Sequence, residues 1–157
     1  MNSESSFGRY VASLHRIRRS FMAKRLQRAD SLPGLYFFLI VLEEVDGMNQ
    51  GNISARLRID KTATCKALKK LELDGYVHRE IDPNDRRAHR VFLTMKGRQV
   101  LPQIHRVMEE WDASVTDWMD VDAKKALTAL LLDLADKAKE ALANLVLKEE
   151  INESSSQ

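Results

Sequence analysis

Residues 60–94 read DKTATCKALKKLELDGYVHREIDPNDRRAHRVFLT, and the change of period inside this stretch decides the fold. In its first half Ala63, Thr64, Ala67, Leu68 and Leu71 recur every three or four residues, the mark of one helix face. Asp60 is placed to cap that helix and Gly75 to end it. From Tyr76 the period falls to two. YVHREID and HRVFLT alternate and are rich in Val, Ile, Phe and Tyr, which predicts two strands of a hairpin joined by a Pro83-Asn84-Asp85 turn. Just upstream, residues 49–56 predict a short helix with Asn49 as its cap and with Ile53 and Leu57 facing inward. Two short helices joined by a tight turn and followed by a hairpin make a winged helix-turn-helix.

Outward from this centre the chain reads as helix on both sides. Phe7, Tyr10, Val11, Leu14, Ile17 and Phe21 form one apolar face of a helix running from Phe7 to about Leu26. SLPG follows at 31–34, with Ser31 as a candidate cap and Pro33 suited to a first turn. LYFFLIVL (35–42) is apolar all round, so this second helix should be buried and should end near Asp46-Gly47. After the hairpin, Thr94 should cap a long helix whose seam is Ile104, Met108, Trp111, Val115 and Trp118. Asp122 should cap a last helix bearing Leu127, Leu130, Leu131, Leu134, Leu142 and Leu145. The expected fold is mainly α with a small β-hairpin wing, flanked by N- and C-terminal dimerisation helices. The segments are 1–30 (N-terminal dimerisation helix), 31–98 (winged helix-turn-helix), 99–151 (C-terminal dimerisation helices) and 152–157 (a disordered tail), with both termini polar and frayed.

Composition narrows the function. Of 157 residues 44% are hydrophobic and 31% charged, a balance that predicts folding. No run of about 18 uncharged apolar residues predicts a membrane span, and no basic-then-apolar start predicts a secretory signal, so the expected location is cytoplasmic. The lone Cys65 excludes an internal disulfide and a cysteine zinc site, while His15, His78, His89 and His105 show no ligand spacing, so neither metal nor cofactor is expected. Glycine-rich phosphate loops, His-Glu-x-x-His and Gly-x-Ser-x-Gly are missing, which argues against an enzyme. Charge is segregated: residues 56–98 hold 12 Lys/Arg against 6 Asp/Glu, and residues 99–157 hold 6 against 12. A basic middle beside an acidic last third suggests one surface for a polyanion and another kept away from it.

With residue 60 at the origin and about 100° per residue, Thr62, Cys65, Lys66 and Lys69 fall opposite the packing face, with Lys61 at the flank. Short polar and basic side chains there suit a DNA major groove, although a plain solvated face would carry the same residue types. Near the hairpin tip, Arg86 and Arg87 contribute nothing to folding and fit a minor groove, where the potential is most negative. Asp85 is placed to pair with Arg87 and hold it extended. A charge-guarded strand edge is the competing account. A protein-docking winged helix is the competing function, though its surface would favour aromatic anchors over lysines.

The stretch IDKTATCKALKKLELDGYVHREIDPNDRRAHRVFLTMKG (59–97) resembles the signature of the multiple antibiotic resistance regulator (MarR) family of winged-helix transcription factors. The resemblance rests on Asp60 with Lys61-Thr62, on Leu71-Glu72 and Gly75, on Arg79, on Asp85 and Arg87, and on Leu93-Thr94 with Gly97. It implies a homodimer with interlocked terminal helices, recognition helices in successive major grooves of a pseudo-palindromic double-stranded operator, and wings in the flanking minor grooves. Thr62, Cys65 and Lys66 match positions that face DNA, and Arg87 matches the wing arginine. Cys65 departs from the usual Ser or Thr. Thr64 replaces a common valine on the packing side, tolerable where its hydroxyl bonds back into the helix. The resemblance also implies a small aromatic or anionic effector at the junction of the first, second and fifth helices, with Met22, Tyr36, Phe37 and Phe38 as walls and His15 or Arg18 as polar contact. Lysines around Cys65 would favour its thiolate, so a redox role and a merely tolerated small side chain both fit.

Overall fold

The computed structural model describes residues 6–27, 30 and 32–154; the side chains of Arg87 and of 149–154 fall outside that description. The chain divides into two compact units, Met1–Asp112 and Ala113–Gln157.

In the first unit, α1 (Phe7–Leu26) ends at Gln27, whose left-handed backbone (φ 48°) lets its N–H donate to the Ala23 carbonyl. Its buried residues are Met22 and Leu26; Phe7, Tyr10, Val11, Leu14 and Ile17, the apolar face expected from spacing, are all exposed in the single chain. Helix α2 (Leu32–Glu44) buries Leu32, Tyr36, Phe38, Leu39, Val41 and Leu42, as a helix apolar all round must. The expected cap Ser31 lies outside the described residues; Asp30 accepts a hydrogen bond from the Leu32 N–H at 3.2 Å.

The two helices of the motif are α3 (Gln50–Leu57) and α4 (Lys61–Leu73). Asn49 and Asp60 each cap by accepting the N–H three residues on, both at 2.8 Å. These bonds satisfy backbone donors that a helix start leaves open. Gly75, at φ 77°, takes the left-handed turn that ends α4 and delivers the chain into β2 (Val77–Asp82). Strand β2 pairs antiparallel with β3 (Asp85–Leu93), with Val77 opposite Leu93 and Ile81 opposite His89. A third strand, β1 (Met48–Asn49), pairs on the other side of β3, Met48 opposite Val91. Two residues carry no readable alternation, so nothing in the sequence announced β1.

Helix α5 (Met95–Thr116) starts at Thr94, whose Oγ1 accepts the Gly97 N–H at 3.0 Å. A Cβ on Gly97 would stand 2.2 Å from the Tyr76 carbonyl oxygen, so only glycine lets α5 lie this close to the base of the hairpin. The core joins every element of the unit: Met22 and Leu26 of α1, Leu39 and Leu42 of α2, Ile53 of α3, Leu68 and Leu71 of α4, Val77 and Val91 of the sheet, and Ile104 of α5. The seam foreseen on α5 splits. Ile104 and Trp111 are buried within their own chain, Trp111 edge-on to Phe21 at 5.3 Å. Trp111 is therefore not a free surface beside Trp118.

In the second unit Trp118 lies beyond the end of α5, exposed, with its indole N–H donating to the Val115 carbonyl at 2.9 Å. Helix α6 (Val121–Ser154) is capped by Asp120, which accepts the Ala123 N–H at 2.7 Å, and not by Asp122. Asp122 sits inside the first turn, where its charge suits the helix dipole but its side chain cannot reach back to cap. Residues 152–154, expected to belong to a disordered tail, are part of α6; residues 155–157 lie outside the described part. Leu130, Leu131, Leu134, Leu142 and Leu145 are all exposed on α6.

Candidate nucleic-acid interface

Helix α4 presents the expected face. Thr64, Leu68 and Leu71 are buried, while Lys61, Thr62, Lys66 and Lys69 are exposed and Cys65 is half-buried. The inward face carries one defect: Thr64 Oγ1 is buried without a hydrogen-bond partner among the described residues. The back-bond that would make threonine harmless there is not formed. Beyond the spacing argument, Lys70 is exposed alongside the other lysines, and Leu73 is 87% exposed at the end of the helix.

One contact ties this helix to the wing. The Glu72 carboxylate accepts the Arg79 backbone N–H at 3.1 Å and the Arg79 guanidinium Nε at 2.8 Å. Arg79, only 19% exposed, spans the gap from β2 to the end of α4. The hydrogen bond from Arg79 holds the Glu72 carboxyl below its ordinary pKa, with its charge adding to the effect and partial burial opposing it. A bidentate pair of this kind fixes direction as well as distance, so the hairpin leaves α4 at a set angle.

The hairpin turns through Pro83 and Asn84, within the Pro83-Asn84-Asp85 turn that the sequence suggests. Proline's fixed φ suits the first corner, and the Asp82 carboxylate accepts the Asn84 N–H at 2.9 Å. Asp85 is already in β3, opposite Asp82, and is exposed, as is Arg86. Arg87 follows in β3; its side chain, and with it the Asp85–Arg87 pairing, lies outside the described side chains. Arg90 differs from its neighbours. Its Nε donates to the Gly47 carbonyl at 2.7 Å and its guanidinium lies over the Phe92 ring, so it braces the sheet.

A cavity of about 490 Å³ brings together four of the six residues expected at an effector site: His15 and Arg18 of α1, Tyr36 and Phe37 of α2, with Arg19 and Leu35 beside them. Met22 and Phe38 are not in its wall. Both are essentially fully buried in the core: Phe38 lies about 200° round α2 from Tyr36, while Met22 continues the stripe of His15 and Arg18 further along α1 into the core. The Arg18 guanidinium stands 5.7 Å from the Tyr36 ring centre. Burial pushes the Tyr36 phenol above its ordinary pKa, and Arg18 offsets part of that rise. No three His, Cys, Asp or Glu side chains among the described residues are grouped to hold a metal ion, and no described helix is long and apolar enough to cross a membrane.

The MarR family model matches residues 33–89, which run from the start of α2 into the hairpin. The HTH-type transcriptional regulator BilQ of Clostridium symbiosum is 30% identical over 88% of this chain and 95% of its own length. Among solved structures, a MarR transcriptional regulator from Methanosarcina mazei Go1 superposes with a TM-score of 0.77 at 31% identity, covering 85% of this chain and 96% of that one. A putative MarR family regulator from Listeria monocytogenes, crystallised with a 26-mer DNA, gives a TM-score of 0.75 at 25% identity over 85% and 89% of the two chains. With a helix-turn-helix, a wing and near-full-length relatives in common, this chain belongs to the MarR family of winged helix-turn-helix, DNA-binding transcriptional regulators.

Proposed function

We propose that the protein is a dimeric, sequence-specific repressor that occludes a nearby promoter and that a small aromatic or anionic effector modulates. The observation that carries this reading is the exposed Lys61, Thr62, Lys66 and Lys69 face of α4, locked at a fixed angle to the hairpin by Glu72 and Arg79. On a pseudo-palindromic duplex, Thr62, Cys65 and Lys66 meet base edges, Lys61 and Lys69 meet phosphates, and Asp85, Arg86 and Arg87 bring the wing to the minor groove. Residues 1–30 and 99–151 serve as the dimer base and residues 31–98 as the DNA-binding lobe. The exposed apolar faces of α1 and α6 support pairing of two copies, since uncovered faces of this size are rare in monomers. The cavity of His15, Arg18, Tyr36 and Phe37 supports an effector, and an operator-binding role places the protein in the cytoplasm.

The test is selection of bound fragments from the source genome at two salt concentrations. A shared pseudo-palindrome beside one promoter, bound more weakly as salt rises, is the expected result. Salt-independent binding, or fragments with no common motif, would remove sequence-specific repression from consideration.

A further inference from the structure

One buried side chain ties the recognition helix to the α1–α2 corner above it. We propose that the hydrogen bond from the Tyr76 hydroxyl to the Asp30 carboxylate is a positioning strut that sets which half-site spacing the protein accepts. The inference rests on the dimeric, operator-binding reading given above and adds to it a pair of residues that touch no DNA.

Tyr76 follows Gly75, which ends α4, and its backbone is held on both sides. Its N–H donates to the Leu71 carbonyl at 2.9 Å, and its own carbonyl accepts the Thr94 N–H and hydroxyl, both at 3.1 Å. It therefore moves with the last turn of α4 and the first turn of α5. The side chain is fully buried, with the Lys96 ammonium 4.1 Å from the ring centre. At its far end the hydroxyl donates to Asp30, 46 positions earlier, in the connection between α1 and α2. Asp30 is itself oriented, because it also accepts the Leu32 N–H at 3.2 Å.

The surroundings give this bond its weight. Along their facing sides α1 and α4 do not pack: Arg19 and Ala23 look across a cavity of about 630 Å³ at Ala63, Ala67 and Lys70, with Asp30 in the same wall. Alanines that face a gap hold no distance, since dispersion acts only between atoms in contact. Met22 and Leu26 anchor α1 in the core, but apolar burial is non-directional. A hydrogen bond prefers one length and one range of angles. The Tyr76–Asp30 bond thus fixes the tilt of α4 against the α1–α2 corner where packing leaves it open. In a dimer joined through α1 and α6, that tilt decides how far apart and at what rotation two recognition helices meet the duplex. One added base pair moves a half-site by about 3.4 Å and turns it by about 34°. An intact strut makes the protein reject such a site, whereas a cut strut lets each lobe rock to meet it.

The test compares the genome-selected operator with duplexes carrying one base pair more or one fewer between its half-sites, using the full chain at fixed salt. Wild type should bind the altered duplexes about tenfold more weakly or worse, since either the dimer or the DNA must deform. Tyr76→Phe, which removes the hydroxyl and little else, should reduce that penalty to about threefold or less, as should Asp30→Ala, and the double variant should do no more than either single one, because the same bond is lost in all three. A loss of stability alone changes binding to every duplex by one factor and leaves their ratio, so the ratio separates positioning from a merely structural role. An undiminished penalty in Tyr76→Phe, or effects that add in the double variant, overturns the strut. Should Tyr76→Phe not fold, the penalty in Asp30→Ala decides in the same way. A wild type that binds its operator yet ignores the spacing overturns the inference and spares the operator-binding role. A wild type that selects no pseudo-palindrome removes that role, and the strut with it.

Discussion

Thr64 puts a hydroxyl on the buried face of the helix that reads DNA, and that hydroxyl bonds to nothing among the described residues. A buried polar atom without a partner costs about 1–3 kcal/mol, and valine has the same shape without it. Thr64→Val should therefore raise stability by about 1 kcal/mol in a denaturant titration and leave DNA affinity unchanged, because the side chain faces away from the groove. Glu72 is the opposite case. Arg79 depresses its pKa below the ordinary 4.5, so its contribution is fully present above that value and is lost as pH falls through the lower, folded-state pKa. The Tm difference between wild type and Glu72→Gln should be constant near neutral pH and close as acid titrates the carboxyl. A pH-independent gap would mean that packing, not charge, holds the joint. At the wing, Arg87→Ala should weaken operator binding about tenfold or more by electrophoretic shift with an unchanged circular dichroism spectrum; loss of the fold instead would make Arg87 structural. Single residues were unevenly legible beforehand. The outward set on α4 followed from a helical wheel, because burial tracks angle on a helix. Arg90 did not, since the Gly47 carbonyl it braces lies 43 positions away in sequence and only the sheet brings it near.

Elements were most legible where a cap, a period and a stop agreed. Asp60 and Gly75 bracket α4, Asn49 opens α3 and Thr94 opens α5, all as local sequence implies. The misplaced cap of α6 shows the limit: Asp120 and Asp122 are both suitable in type, and the choice depends on how the chain turns after Thr116. Strand β1 escaped because its register comes from β3 and not from its own two residues. The contact between α5 and the hairpin base escaped for a related reason, since a glycine in a helical pattern reads as a weakness until the neighbouring carbonyl is in place. Gly97→Ala should cost about 3 kcal/mol or more, because either the helix or the Tyr76 backbone must shift to admit the methyl group. Differential scanning calorimetry would detect this as a clear fall in Tm, and an unchanged Tm would show that the approach relaxes freely.

Across the molecule, the basic and acidic thirds of the sequence correspond to different elements. The lysine face is on α4, and the acid-rich final third supplies α6 and most of α5. The apolar faces of α1 and α6 are exposed in a single copy, and this is where the dimer reading is open to a direct test. Leu14→Glu together with Leu131→Glu should give a monomer by size exclusion with light scattering. It should also lower operator affinity about a hundredfold, the low end of what linking two binding modules confers. A variant that stays dimeric would place the interface elsewhere.

The sheet has one further consequence. Beside β3, strand β1 reaches only Arg90 and Val91, so the hairpin is triply stranded at its root and doubly stranded from there to Pro83. It is built like a cantilever, clamped at one end and compliant at the other, with an irregular step at Ile81 and Asp82 near the free end. Amide hydrogens near the turn should exchange faster than those beside Val91, and binding to a duplex should slow the former most. A finger stiff enough to aim and loose enough to settle can follow a groove whose width varies from one site to the next.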